Sequence, residues 1–259
     1  MADESRDNQP SYDRGQHNML AERGPLARDF ARQILDTTAP FCRKAAPQLD
    51  VLDVGCGYGH TAIELARQCA RVVGIEPSRP LWEFAASLRE EAKLPNVEFC
   101  HEGLYDHYRP EAYDLIVLDN VFEHLPDQPR ALEILSGCLR EGGVLYLLLP
   151  NKLWPVEVHY RLPLLSYLPL RLANAYLRLT GRGEDYSDAS YAPTYFSLNR
   201  MLRARPELSY RYVLPAHLAL THGGKSLHYA LGAAMIRRIP WFWAISKAFL
   251  IVAVKGAMP

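Results

Sequence analysis

The chain has 259 residues, of which 22 % are charged, and its 29 basic and 29 acidic residues give a formal net charge of zero at pH 7. This length allows one α/β domain with a sizeable core and an insertion. The balanced charge provides no basic field to attract a polynucleotide, so it argues against a nucleic-acid partner.

The five cysteines are scattered along the chain and form no C-x-x-C pair. This pattern indicates buried thiols in a reducing compartment rather than a disulfide or zinc framework. The first residues are polar, unlike a secretory signal, and no apolar run reaches the roughly 18 residues of a membrane span. We therefore expect a cytoplasmic protein, a monomer or homodimer, without a transmembrane segment.

The first helical pattern lies between residues 18 and 37, where apolar residues recur at helical spacing. The first strand follows at residues 51–54, and the glycines Gly55, Gly57 and Gly59 come directly after it. Glycine lets the backbone turn sharply and approach a ligand closely. A helix and a second apolar strand, which ends at Glu76, complete a βαβ unit with a nucleotide-sized gap above its first strand.

The residues around this turn favour one kind of nucleotide. The dinucleotide fingerprint G-x-G-x-x-G requires a glycine at position 60, where this chain has His60. A pyrophosphate would also lie near Asp53, a like charge, whereas a cationic ligand would be attracted to it. Glu76 is placed to accept hydrogen bonds from two ribose hydroxyls. The turn therefore favours an adenosyl group that carries an amino-acid tail.

The pattern Asp53-x-Gly55-x-Gly57-x-Gly59 with Glu76 resembles the cofactor signature of class I S-adenosylmethionine-dependent methyltransferases that act on small molecules. The resemblance implies an α/β fold of Rossmann-like, doubly wound type. Its seven-stranded sheet would be mostly parallel with an antiparallel last strand. It also implies S-adenosylmethionine as the cofactor and S-adenosylhomocysteine as the product.

The resemblance covers residues 49–151 and extends to later strand ends. After a third strand at residues 96–100, Glu102 or the backbone near Leu104 would contact the adenine. After a fourth strand at residues 113–119, Asp119 and Asn120 would border the sulfonium. The predicted cofactor-binding residues are Asp53, Gly55, Cys56, Gly57, Gly59, Glu76, Pro77, Glu102, Gly103, Leu104, Asp119, Asn120 and Val121.

The remaining chain divides around this core. We expect helices in residues 1–40 that act as a lid, a cofactor-binding core at 41–151, a helical and loop insertion at 152–196 that covers the substrate, and a C-terminal part at 197–259 that completes the sheet. Ser197 is the expected N-cap of a helix in this last part. The predicted acceptor-binding residues are Glu123, Asn151, Trp154, Glu157 and Tyr160.

A hydroxyl acceptor must lose its proton, and histidine is the natural base at neutral pH. His124 follows the fourth strand and is the first candidate; His159, oriented by Glu157, is the second. The alternative for His124 is that it and Glu123 only hold the loop through backbone hydrogen bonds. Because the histidines lack the carboxylate clustering of metal-dependent enzymes, we expect no metal site.

The sequence thus predicts a methyltransferase that modifies a small molecule, most simply at a hydroxyl oxygen. A nitrogen acceptor and a cofactor-binding, non-catalytic regulatory subunit remain as alternatives. Residues 240–243 contain two tryptophans beside Arg237 and Arg238, a pattern typical of an interfacial segment. It suggests a hydrophobic or lipid-linked acceptor and peripheral membrane contact.

Overall fold

The structure, a computed structural model, describes residues 16–218 and 227–258, so the first fifteen residues of the predicted lid segment lie outside the described residues. Among the described residues, helices and strands alternate in the order α1 Gln16–Thr38, β1 Asp50–Val54, α2 His60–Ala66, β2 Arg71–Ile75, α3 Arg79–Ala92, β3 Val97–Cys100, β4 Tyr113–Asp119, α4 Gln128–Cys138, β5 Leu139–Pro150, α5 Leu170–Thr180, α6 Tyr195–Arg203, β6 Leu208–Tyr212, α7 Leu227–Arg238 and β7 Ala248–Lys255.

The seven strands form one sheet in the order β3-β2-β1-β4-β5-β7-β6. The pairs β1–β2, β1–β4, β2–β3 and β4–β5 are parallel, while β7 is antiparallel to both β5 and β6. The strand order reverses between β1 and β4, which is where ligands bind in open α/β sheets. The predicted fold class, including the antiparallel last strand beside β5, is confirmed.

Two apolar layers cover the faces of this sheet. Leu52 of β1 points into the layer that contains Leu135 of α4, whereas its neighbour Val51 points into the layer that contains Ile34 of α1. Successive side chains of a strand face opposite sides of a sheet, so a strand buried on both faces reads as a continuous apolar run. The helices therefore lie on both faces, and the carboxyl ends of the parallel strands lie together at one edge of the sheet.

The segment after β5 has a small apolar core of its own. Leu165, Leu177 and Tyr186 are buried together there. The backbone N–H of Lys152 donates to the carbonyl of Pro193 across 3.1 Å and joins the two ends of the segment. Because the segment leaves the sheet at the carboxyl end of β5, it starts at the same edge as the ligand-binding strand ends.

The helix α6 begins differently from the prediction. Its N-cap is Thr194, whose Oγ1 accepts from the Ser197 N–H at 3.1 Å. Ser197 instead occupies the third helical position and accepts from the Thr194 N–H at 2.9 Å. The prediction of Ser197 as the N-cap is wrong, because two hydroxyl residues three positions apart satisfy the same capping rule and only their reciprocal bonds decide between them. In the part of the chain that the structure describes, we find no helix with the length and apolar character needed to cross a bilayer.

Candidate functional site

The turn after β1 holds three glycines with positive φ: 63° at Gly55, 56° at Gly57 and 77° at Gly59. A Cβ at Gly55 would lie 2.7 Å from Cγ2 of Val121, and one at Gly59 would lie 2.7 Å from the ring of Phe99. A Cβ at Gly57 would meet nothing within 4 Å. The outer glycines are therefore required by packing, while Gly57 faces open space that a ligand can fill.

Glu76 fastens this turn to the end of β2. Its Oε2 accepts the N–H of Gly57 at 2.9 Å, its Oε1 accepts the N–H of Ser78 at 2.8 Å, and the residue is buried. Two backbone donors hold the carboxylate in one orientation at the strand end. A carboxylate has about four acceptor sites, so it retains capacity for ribose hydroxyls.

Two other predicted cofactor residues, Asp53 and Cys56, lie on β1 and in the glycine turn that follows it. Asp53 is buried on β1, and the Cys56 N–H donates to the carbonyl of Ile75 at 3.1 Å. Burial raises the pKa of the Cys56 thiol, and the charges of Asp53 and Glu76 add to this effect. The thiol is therefore neutral and lines the turn as a small apolar group, since only a thiolate is a strong nucleophile.

The predicted adenine side lies after β3. Oε1 of Glu102 lies 2.7 Å from Nδ1 of His107, so one carboxylate oxygen is directed to a buried imidazole. A Cβ on Gly103 would lie 3.9 Å from Cβ of Pro77, which makes these two residues neighbours, and Leu104 beside them is buried. The structure thus brings Pro77, Gly103 and Leu104 together. One carboxylate oxygen of Glu102 contacts His107 instead of these residues.

The end of β4 meets the glycine turn directly. Val121 packs over Gly55, and the backbone N–H of Asn120 donates to the carbonyl of Leu148 at 2.8 Å. Asn120 has a φ of 56°, and its side-chain amide donates to Oδ1 of Asp119 at 2.6 Å. The predicted cofactor residues of β1, β2 and β4 therefore share one edge. Open space above Gly57 and carboxylates at three strand ends suit an adenosyl ligand that carries positive charge.

Glu123 lies in the short helical turn Phe122–His124 that follows β4. Its side chain is fully buried, and neither carboxylate oxygen has a hydrogen-bond partner among the described residues. Nε2 of His159 lies 3.9 Å from Oε1. Burial raises the pKa of Glu123 to about 8.

His159 is held by a carboxylate next to it in the sequence. Oε1 of Glu157 lies 2.7 Å from Nδ1 of His159, and Oε2 accepts the backbone N–H groups of His159 and Tyr160 at 2.8 and 2.7 Å. Because Nδ1 faces Glu157, Nε2 is the ring nitrogen directed toward Glu123. The ring of His124 lies edge-on to that of His159, with centroids 5.2 Å apart.

The two histidines that the sequence presents as alternatives thus belong to one site. Glu123, His124 and His159 each place a ligand-type atom within 4.8 Å of the other two. Glu157 lies beside His159 as the sequence suggested. The expectation that the histidines lack a carboxylate cluster is wrong, because Glu123 also approaches His159. The spacing of Glu157 and His159 was visible in the sequence, but no local signal brings them to Glu123.

Two predicted acceptor-binding residues have their polar groups engaged by the protein. The Asn151 amide donates to the carbonyls of Ala244 and Ser246 at 3.0 and 2.9 Å and accepts the Leu153 N–H at 3.0 Å. The Tyr160 hydroxyl donates to the carbonyl of Asp185 at 3.0 Å. These contacts stabilise the segment after β5. Trp154 is half-buried in the turn that follows Asn151, where its backbone N–H donates to the backbone carbonyl of Asn151 at 2.9 Å.

Comparison with known proteins agrees with this geometry. The family described as "Methyltransferase domain" matches residues 26–205, which is more than half of the chain. Among curated proteins, the chain is 35 % identical over 146 residues to a trans-aconitate 2-methyltransferase of Azoarcus sp. (strain BH72), covering 55 % of this chain and 52 % of that protein. It is 30 % identical over 103 residues to a ubiquinone biosynthesis O-methyltransferase of Coxiella burnetii, covering 39 % and 44 %. The chain thus spans about half or less of the length of these relatives.

Solved structures with the same fold cover nearly the whole chain. The plantazolicin methyltransferase BpumL in complex with SAH superposes with a TM-score of 0.60 at 17 % identity and covers 96 % of this chain and 92 % of that one. The YcgJ protein of Bacillus subtilis superposes with a TM-score of 0.57 at 17 % identity and covers 88 % and 99 %. At this identity the likeness concerns the fold.

Proposed function

The chain belongs to the methyltransferase-domain family and is an S-adenosylmethionine-dependent methyltransferase, and from this premise we propose that it methylates a hydroxyl oxygen of a small molecule. The observation that carries the proposal is the cluster that Glu123 and His124, directly after β4, form with His159 from the segment after β5. Glu123 and His124 come shortly after Asp119, at the strand end that packs against the glycine turn. They therefore lie where an acceptor would meet the methyl group.

The cofactor supplies an electrophilic methyl group on a sulfonium, and the bond electrons remain on sulfur when the acceptor oxygen takes the methyl. In our proposal, the chain's own residues bind and orient this group. The open turn at Gly57 receives the amino-acid tail, with Asp53 near its amine. Glu76 accepts the ribose hydroxyls, and Pro77, Gly103 and Leu104 line the adenine. Alignment of the two reactants can contribute up to roughly 7–11 kcal/mol to lowering the barrier.

On the acceptor side, the chain must orient a hydroxyl and assist the loss of its proton. We propose His124 and His159 for this role, with the carboxylate of Glu123 beside them. Glu157 is a positioning residue, because it forms two hydrogen bonds with His159 and a third with the Tyr160 N–H, and so directs Nε2 of His159 toward Glu123. One of the curated relatives is an O-methyltransferase, which supports an oxygen acceptor.

The covering of the site follows from the same proposal. Residues 152–196 leave the sheet beside the cluster and carry Glu157 and His159, so we assign them to the acceptor side, with Trp154 as an apolar wall. We assign the described part of the predicted lid, residues 16–40, to the cofactor side. Both segments exclude water from the reacting groups, which strengthens the electrostatic interactions inside.

The C-terminal aromatic residues support peripheral contact with an anionic membrane. Trp241 is 62 % exposed and Ile245 is 51 % exposed, whereas Trp243 is buried. The exposed Arg237 and Arg238 precede them at the end of α7, whose Leu231 is also exposed. Exposed apolar side chains beside basic ones match the headgroup region of such a surface. A hydrophobic or lipid-linked acceptor would be consistent with it.

The test uses S-adenosylmethionine with a deuterated methyl group. The chain is incubated with trans-aconitate, 3,4-dihydroxybenzoate, phenethylamine and a metabolite extract, and products are identified by mass spectrometry. We expect label on a hydroxyl oxygen. Label on an amine would favour the N-methyltransferase alternative. Tight cofactor binding with no labelled product in any mixture would favour the non-catalytic subunit.

A further inference from the structure

Glu123 is unusual among the buried polar groups of the described residues. It is fully buried, yet both of its carboxylate oxygens have no hydrogen-bond partner there. A buried carboxylate without partners is unfavourable, because it loses its contacts with water and gains no protein contact in return. The only described ion-pair neighbour is His159, whose Nε2 lies 3.9 Å from Oε1, beyond hydrogen-bond distance. A cation held by Glu123 and the neighbouring imidazoles would supply the partner that this carboxylate lacks among the described residues.

We propose that Glu123, His124 and His159 bind a divalent first-row transition-metal ion, with Zn²⁺ as the reference ion. Each residue offers one ligand atom, and the three atoms lie within 4.8 Å of one another. Two imidazole nitrogens and one carboxylate oxygen suit zinc and its first-row neighbours, whereas Mg²⁺ and Ca²⁺ prefer oxygen ligands alone. A set of three protein ligands leaves a coordination position for another molecule.

The spacing of the three ligand atoms is compatible with such an ion. Two ligands of a tetrahedral zinc ion lie roughly 3.3–3.4 Å apart when each bond is about 2.0–2.1 Å long. The ligand atoms, which lie within 4.8 Å of one another, would therefore close by up to about 1.5 Å on binding. Glu123 and His124 lie in one short helical turn, and His159 comes from the segment after β5. A small rotation of side chains on two separate elements supplies this movement.

Glu157, which contacts the proposed ligand His159, supports the same assignment. His159 presents Nε2 because Nδ1 lies 2.7 Å from Oε1 of Glu157. The other oxygen of Glu157 accepts two backbone N–H groups, which hold that carboxylate in one orientation. A carboxylate behind the imidazole fixes the tautomer that a metal requires and increases the basicity of the ligating nitrogen.

The chemical consequence of this site rests on the proposed function. With the ion bound, His124 and His159 would act as its ligands and could not accept a proton themselves. The cation would instead lower the pKa of the acceptor's hydroxyl group, so that the proton leaves to solvent and the oxygen attacks with its free electron pair. An amine acceptor gains less from this help, since a neutral amine is already nucleophilic. The site therefore deepens the proposal of an oxygen acceptor and limits it to hydroxyls that can reach the ion.

The test measures metal binding without reference to turnover. Tag-free protein is stripped with a chelator and titrated with Zn²⁺ by calorimetry and with Co²⁺ by visible absorption. The variants are Glu123→Gln, His159→Asn and Glu157→Gln, and the controls are Glu133→Gln and His217→Asn, which change the same residue types away from the cluster. Circular dichroism and S-adenosylmethionine calorimetry on every variant check that the fold and the cofactor site are intact.

We expect one equivalent of Zn²⁺ in the wild-type protein and a cobalt spectrum without thiolate absorption, which separates this site from the five cysteines. Glu157→Gln should weaken binding by about 10–100-fold, as second-layer changes do, and the two ligand variants by at least as much. Folded protein that binds no Zn²⁺, or binds it equally in Glu123→Gln and in the controls, overturns the proposal. A protein that binds Zn²⁺ but not S-adenosylmethionine would instead overturn the proposed function.

Discussion

The N–H of Gly57 donates to Oε2 of Glu76 across 2.9 Å, so the turn after β1 is fastened to the carboxylate that ends β2. Gly57 faces open space, and Glu76 holds the turn in place. In the proposed function, Glu76 also accepts hydrogen bonds from the ribose of the cofactor. The two halves of the cofactor site are therefore coupled, and a change in either should affect both.

Replacing Glu76 by alanine should weaken S-adenosylmethionine binding by at least tenfold, because the ribose hydroxyls and the Gly57 N–H lose the same acceptor. Glu76→Gln should retain part of the affinity, since one amide oxygen can still accept. Calorimetric titration measures both variants. Glu98→Gln, which changes an exposed carboxylate on β3, serves as the matched control. An unchanged affinity in Glu76→Ala would remove this residue from the ribose role.

Gly57→Ala should reduce cofactor affinity without a packing clash. Its φ of 56° gives a backbone cost of about 1–2 kcal/mol for alanine, and its Cβ would enter the open space above the turn. Gly181→Ala is a matched control, because Gly181 has a φ of 65° and open space around it, but ends α5. Thermal unfolding should show similar losses in both variants, while calorimetry should show weaker cofactor binding only in Gly57→Ala. Equal cofactor affinity in the two variants would contradict the assignment of that space to the cofactor.

His124→Ala should leave S-adenosylmethionine affinity intact and lower turnover by about 10²-fold or more, since it changes only the acceptor side. The measurement compares calorimetry with product formation on the acceptor found in the labelling screen. His217→Asn should behave as the wild-type protein in both assays. Retained turnover in His124→Ala would show that this side chain only holds the loop, which is the alternative predicted from the sequence.

Asp114 should stabilise the fold at neutral pH and lose this effect in acid. Burial tends to raise its pKa, but hydrogen bonds from the Asp50 N–H and from Lys44, together with the nearby charge of Arg140, lower it below the usual value. The stabilisation is therefore complete above the unfolded-state pKa of about 3.9 and disappears as pH falls through the lower folded-state pKa. Urea unfolding at neutral pH should show Asp114→Asn less stable by about 1–3 kcal/mol, with the gap closing at low pH. A gap that is independent of pH would contradict this account.

Trp241→Ser should reduce binding to anionic vesicles of phosphatidylglycerol and phosphatidylcholine, because it removes an exposed apolar anchor. The binding should also weaken with added salt, as expected when Arg237 and Arg238 contribute. Cosedimentation measures the bound fraction, with Phe196→Ser as a control for an exposed aromatic residue of α6. Trp243 is buried and is not a useful test, since its replacement should reduce stability instead. Equal vesicle binding by the two variants would rule out the interfacial role.

The glycine turn, its flanking strands and Glu76 could be predicted from sequence because their signals are local. Positive φ selects glycine, and a strand buried on both faces requires a continuous apolar run, so neither depends on distant residues. The family resemblance that these signals carry led to the fold class, the antiparallel last strand and the cofactor, all of which are confirmed. The division of the chain into lid, core and insertion stays a prediction.

Only the tertiary structure decided what surrounds the histidines and which aromatic and polar side chains are buried. His159 meets Glu123 although 36 positions separate them. Asn151 forms hydrogen bonds with carbonyls more than 90 positions away, and Trp243 is buried while its near neighbour Trp241 is exposed. Such contacts depend on how separate elements pack against one another, and packing constrains the size and polarity of a residue without fixing its partner. A buried carboxylate beside two imidazoles therefore leaves no pattern along the chain, and it becomes visible only when β4 and the segment after β5 lie side by side.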